Sequence, residues 1–205
     1  MMLVALLAVP ALGALIGYQM RDRVAPVWAA LVAGVSLILA LGVMISPSGR
    51  SFSHPWVPEL GINFELALHP AGLAMLVLTP LLTLGAVLMI RPGLERGSEF
   101  CGHLLLLLAA LQGLFVSDNL GLFYVFFEVM LLPALLLTAR WGGQRGQAVS
   151  LKFFLYTLMG SLPMLLGILT LGYQNSGQSL KFDNLQGLPQ ERSEERRVGK
   201  ECRSR

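Results

Sequence analysis

The nineteen residues Leu120–Thr138, LGLFYVFFEVMLLPALLLT, contain a single charged side chain, Glu128, near their midpoint. A run of that length and polarity matches the hydrocarbon thickness of a bilayer, where a helix satisfies its own backbone. An acid at mid-depth costs about 2.5–3.5 kcal/mol on insertion scales, so it marks either a functional group or a packing lock. Five other stretches share the pattern, giving six expected spans at 2–20, 24–45, 71–90, 101–117, 119–139 and 150–173. Only 13% of the chain is charged and 55% is hydrophobic, against about 25% charged in a soluble domain. The expected fold class is all-α, a polytopic transmembrane helical bundle over 1–175 with a polar loop at 176–191.

The N-terminal MMLVALLAVPALGALIGYQM lacks a basic flank and is followed by more spans, so it reads as the first helix rather than a signal peptide. Prolines fall inside the first, third, fifth and sixth spans, at Pro10, Pro80, Pro133 and Pro163. Between spans two and three, residues 47–70 form the longest internal loop. Within it, Trp56-Val57-Pro58 and Ile62–Leu66 alternate enough to suggest a short hairpin or an interfacial segment.

Charges in the short loops set the expected topology. Arg21 and Arg23 lie in the first loop, Arg91 and Arg96 in the third, and Arg140, Arg145 and Lys152 around the fifth. The second loop holds only Arg50 and the fourth has no Lys or Arg. The positive-inside rule then puts the N-terminus outside and loops one, three and five in the cytoplasm of a cell with this protein in its inner (plasma) membrane.

The net charge of +3 carries no such information. Through Glu191 there are nine basic and nine acidic residues, so the excess lies in the last fourteen, RSEERRVGKECRSR. No nucleic-acid partner is inferred from it. Residues 192–205 resemble the translation of a widely used sequencing-library adapter and are expected to be disordered and foreign to the fold, with native sequence read only to about Glu191.

Glu128 is the foremost candidate for chemistry, as a proton- or cation-carrying carboxylate whose acidity burial and neighbouring charge can tune. Tyr124, Leu131 and Leu132 share its helix face, and Pro133 cannot donate to the Val129 carbonyl one turn on. Lys152 stands second, in the first turn of span six, where it either snorkels or reaches inward as a counter-charge. His103 and Tyr124 are possible relay groups. Gln112, Thr157 and Ser161 are of the type that bonds across helices, while His54 and His69 are loop residues with no evident partner. Cys101 opens an apolar run and reads as a small buried hydrophobe. Neither cysteine spacing, a phosphate loop nor a haem ligand pair indicates a metal or redox cofactor in this chain.

The run FYVFFEVMLLP at 123–133, WGG at Trp141–Gly143 and KFFLYTLMGSLPMLLGIL from Lys152 resemble subunit M (chain 4) of proton-translocating NADH-quinone oxidoreductase, respiratory complex I. The likeness extends more loosely over most of residues 1–175. It implies the first part of a fourteen-helix antiporter-like fold and a proton-translocating role for Glu128, paired with a lysine expected after Glu191. Lys152 matches a lysine common at the start of the sixth helix. The parent complex is expected to use NADH, FMN, iron–sulfur clusters and a quinone, and the partners are its other membrane subunits and the lipid bilayer. A subunit of a multi-subunit cation/proton antiporter or membrane-bound hydrogenase is the alternative, as is a truncated fragment without activity. Phe127, where the family often has Trp, and Pro163 depart from the pattern without touching the acid.

Overall fold

Every expected span is a helix in the computed structural model, which describes residues 2–45, 51–57, 62–90, 93–174 and 180–181. In chain order these are α1 (Met2–Gln19), α2 (Ala25–Ile45), β1 (Ser51–Val57), β2 (Ile62–Ala67), α3 (Pro70–Leu88), α4 (Gly97–Val116), α5 (Leu120–Trp141) and α6 (Gly146–Gln174). Five of the helices are long and apolar enough to cross a membrane; the apolar part of α3, Gly72–Leu88, is shorter. The segment 192–205, Arg91 and most of the loop at 176–191 lie outside the described residues.

Two helices begin four residues before their apolar runs. At α4 the reason is a cap borrowed from another loop. Arg96 adopts a left-handed conformation (φ 56°) and offers no side-chain cap, so the Ser98 amide donates to Asp22 Oδ1 at 2.8 Å. An acid at a helix N-terminus also meets the positive end of the helix dipole. α6 starts at Gly146, which moves Lys152 from the expected first turn to the second.

The Ser98 amide, and after it the Ser98 hydroxyl, hold the Asp22 carboxyl below the usual carboxylate range. A depressed native value stabilises above the unfolded pKa and loses that contribution as pH falls through the folded one. Asp22→Ala should therefore speed amide exchange at Ser98 and Glu99 at pH 7, and the difference from the parent should vanish in acid.

α4 is the hub. It packs against α1, α2, α3 and α5, whereas α6 packs chiefly on α5. Small side chains make many of the contacts. Ala25, Ala29, Ala33, Ser36 and Ala40 form the buried stripe of α2, and Gly102, Ala109, Ala110 and Gly113 are buried on α4. Many large side chains point outward: Leu31, Ile38, Leu82 and Leu166 are each at least 60% exposed. Lipid is as apolar as leucine, so helices associate in it through close backbone approach, and small residues inside with large ones outside is the arrangement that follows.

The interior divides into two apolar clusters stacked along the helix axes. Ala29, Val32 and Ala33 of α2 meet Cys101, Leu105 and Leu108 of α4 in one. Leu3 and Leu6 of α1, Ala40 and Val43 of α2 and Val116 of α4 form the other, joined by Leu66 and Leu122. Cys101 is fully buried, as its sequence context suggested.

The loop at 47–70 resolves in favour of a hairpin. β1 and β2 pair antiparallel with Ser51 opposite Ala67 and a register shift between Pro55 and Val57, so the bundle is helical with one two-stranded addition. The hairpin folds over the α4–α5 turn, where the Asp118 amide donates to the Glu65 carbonyl at 2.8 Å. Loops one, three and five meet at the opposite end: Asp22 reaches Ser98, Arg140 pairs with Glu99, and Trp141 Nε1 donates to the Glu95 carbonyl at 3.2 Å. The arginine-rich loops therefore share one end, and the acidic hairpin and α4–α5 turn share the other.

Candidate functional site

α5 is launched by Asn119. Its side chain accepts from the Gly121 amide at 3.0 Å and so caps the helix. Asp118 is engaged instead by His69, Nε2 to Oδ1 2.9 Å. His69 thus has a partner 49 residues away that its loop position did not disclose.

From that fixed start, eight residues carry α5 about 12 Å to Glu128. The Glu128 side chain lies on the seam with α6, where the Ser161 hydroxyl donates to Oε1 at 2.6 Å. Ser161 is 4% exposed. The same hydroxyl is 2.9 Å from the Leu158 carbonyl, a competing acceptor on its own helix. The Tyr124 hydroxyl, one turn toward the hairpin end, is close enough to both Ser161 and Glu128 to interact with each. Among the described residues no Lys, Arg or His forms an ion pair with Glu128.

Both helices also have a spare backbone acceptor near this depth. α5 runs unbroken through Pro133 and α6 through Pro163. Each proline lacks an N–H, so the carbonyls of Val129 and Met159 lose their usual helical donors. Val129 follows Glu128 directly and Met159 precedes Ser161 by two positions. A carboxylate and two hydroxyls meet at mid-span, groups that can accept, hold and pass on a proton. Two cavities of about 590 and 510 Å³ lie at the ends of the bundle, and neither is lined by Glu128.

The other candidates are placed apart from this site. Lys152 is exposed on α6 and lies nine residues from Ser161, about 13 Å along the axis. It is therefore not the counter-charge of Glu128 in this structure. His103 is buried at the arginine-rich end, its Nδ1 donating to the Glu99 carbonyl at 2.6 Å. Its ring meets Tyr18 edge-on at 5.2 Å and lies 6.3 Å from the Trp141 ring, which is thirteen residues, about 20 Å, along α5 from Glu128. Thr157 bonds the Phe153 carbonyl of its own helix, so it does not bridge helices as expected.

One acid escaped the sequence reading. Glu65, 4% exposed on β2, is held by Asn119 Nδ2 at 3.3 Å, Asn63 and Ser53 at 3.4 Å and Lys181 Nζ at 3.6 Å. Its neighbours fully occupy it, and it ties the hairpin to the start of α5.

The fold has known counterparts. The transmembrane family described as NADH:quinone oxidoreductase/Mrp antiporter matches residues 117–198. NAD(P)H-quinone oxidoreductase chain 4 1 of Synechococcus sp. strain JA-3-3Ab is 33% identical over 169 residues, 77% of this chain and 32% of the relative. NADH-quinone oxidoreductase subunit M of Escherichia coli K12 is 33% identical over 193 residues, 83% of this chain and 38% of the relative. A chain of respiratory complex I from Thermus thermophilus superimposes with a TM-score of 0.79 and 30% identity, over 92% of this chain and 39% of that one. Over residues 117–198 the chain is similar to this NADH:quinone oxidoreductase/Mrp antiporter transmembrane family. It spans about a third of the length of the curated relatives it matches. All of α5 and α6 falls inside the segment matched to this antiporter family, so Glu128, Tyr124, Lys152 and Ser161 do too, while His103 lies before it.

Proposed function

We propose that this chain forms part of a proton-translocating membrane subunit of an NADH-quinone oxidoreductase, with Glu128 as the carboxylate that carries the proton. The observation that supports it most is the Ser161–Glu128 hydrogen bond at mid-span on the α5–α6 seam. Glu128 is half-buried, and its partner on the seam is a neutral hydroxyl rather than a cation, which leaves the carboxylate open to a positive charge brought by another part of the complex. A lysine outside the described residues supplies that charge, alternately near and far. Tyr124 extends the path toward the hairpin end; Lys152 and His103 stand toward the arginine-rich end, which faces the cytoplasm, with the N-terminus outside. Electrons pass elsewhere in the complex, from NADH through FMN and iron–sulfur clusters to a quinone, and the other membrane subunits and lipid enclose this one.

The antiporter-subunit alternative makes a different prediction. A complex isolated from membranes through this chain should contain flavin and iron–sulfur clusters, and inverted vesicles bearing it should acidify internally when NADH is added. A complex without redox centres that exchanges cations for protons would overturn the dehydrogenase assignment.

A further inference from the structure

Away from Glu128, the interior contains three polar side-chain atoms with no hydrogen-bond partner among the described residues: Ser36 Oγ on α2, and Nε2 and Oε1 of Gln112 on α4. Both residues are 0% exposed. Ser36 is unusual among the span hydroxyls. Thr79, Thr83, Ser117, Thr138, Thr157 and Thr170 each donate to the carbonyl four residues back in their own helix. Ser36 makes no such bond, and a glutamine amide has both an acceptor and two donors to satisfy.

The two side chains lie at one level. On α4, Gln112 falls between Leu108 of one apolar cluster and Val116 of the other. On α2, Ser36 falls between Ala33 of the first cluster and Ala40 of the second. α2 and α4 meet in both clusters, so the layer between them brings Ser36 and Gln112 to the same interface. That interface is polar and enclosed, with hydrocarbon side chains above and below.

We propose that Ser36 and Gln112 hold one internal water molecule between α2 and α4, midway between the two apolar clusters. Water is the group that complements them. It donates to an amide oxygen, accepts from an amide N–H or a hydroxyl, and carries no charge that the apolar layers would reject. Buried waters in proteins make about three such bonds, the number of orphaned atoms present here. The site is separate from Glu128. Gly113, next to Gln112, lies against the Phe126 ring of α5, and Phe126 and Glu128, two positions apart, project about 200° from one another around that helix. The bundle therefore has a second polar station at mid-depth, screened from the carboxylate by an aromatic ring.

The test is a map of the complete, unmodified complex at a resolution that shows ordered solvent. The expected result is a density peak within about 2.7–3.2 Å of both Ser36 Oγ and the Gln112 amide. A direct bond between the two side chains, or the amide turned onto a backbone carbonyl with nothing between, would overturn the proposal. Thermal shifts of the assembled complex give a second reading. With a shared water, the shift in Tm of Ser36→Ala plus Gln112→Leu should be clearly smaller than the sum of the single shifts. Strictly additive shifts would mean that the residues share no partner, and the site would be lost.

Discussion

Glu128→Gln is expected to cut NADH-driven proton translocation by about tenfold or more, a lower bound against the ~10²–10⁴-fold that a positioned proton-transfer group typically contributes. Glutamine preserves the size of the side chain and still accepts from Ser161, so helix packing on the α5–α6 seam should survive. What it cannot do is release a proton. Glu128→Asp keeps a titrating group but draws it one methylene back from Ser161 and should fall between parent and Gln. Ser161→Ala, which removes one donor and leaves the acid, should have the smallest effect of the three. The measurement is the pH gradient formed by inverted vesicles, normalised to assembled complex by flavin content. Undiminished pumping by the Gln variant in a normally assembled complex would end the case for Glu128.

The second large effect concerns assembly rather than transport. A Cβ placed on Gly113 would overlap the Phe126 ring, and α4 is the helix that most others touch. Neither backbone can retreat without disturbing a third helix. Gly113→Val should therefore destabilise the subunit by about 1–3 kcal/mol, the usual range for overpacking, or prevent its incorporation. Phe126→Ala in the same chain removes the obstructing ring and should restore much of the loss. Detergent-solubilised complex can be followed by thermal aggregation. A Gly113→Val variant as stable as the parent would show that the α4–α5 contact is looser than the structure draws it.

The helices and the acid were readable because both are signals of composition. An apolar run of bilayer length needs no partner to be recognised, and neither does a carboxylate within one. Pairings were harder. The Glu128–Ser161 contact did leave a trace, since the two lie at nearly equal distances from the turn joining α5 and α6, thirteen residues before Trp141 and fifteen after Gly146. Antiparallel neighbours put such positions at one depth, which also places Lys152 too near the turn to reach the acid. The expected spans 119–139 and 150–173 already held this trace, since the two residues lie eleven positions from the facing ends. Glu65 and His69 left no trace of that kind. Their partners outside the hairpin, Asn119, Lys181 and Asp118, are at least 49 residues distant, and nothing local indicates that the hairpin closes over the α4–α5 turn.

α6 has mechanical properties that its composition conceals. Its beginning is fixed by the short turn from α5, where Gly146 donates to the Gly143 carbonyl. Beyond its other end, Leu180 accepts from the Leu120 amide at 3.1 Å and Lys181 bridges to Asn119. Between these anchors it rests chiefly on α5. Ser161 stands at the middle of Gly146–Gln174, two residues before Pro163, which cannot donate to the Met159 carbonyl and so removes one helical hydrogen bond there. A helix supported along one side bends most readily where its ladder is interrupted, so the hydroxyl that meets Glu128 lies beside the weakest turn of α6.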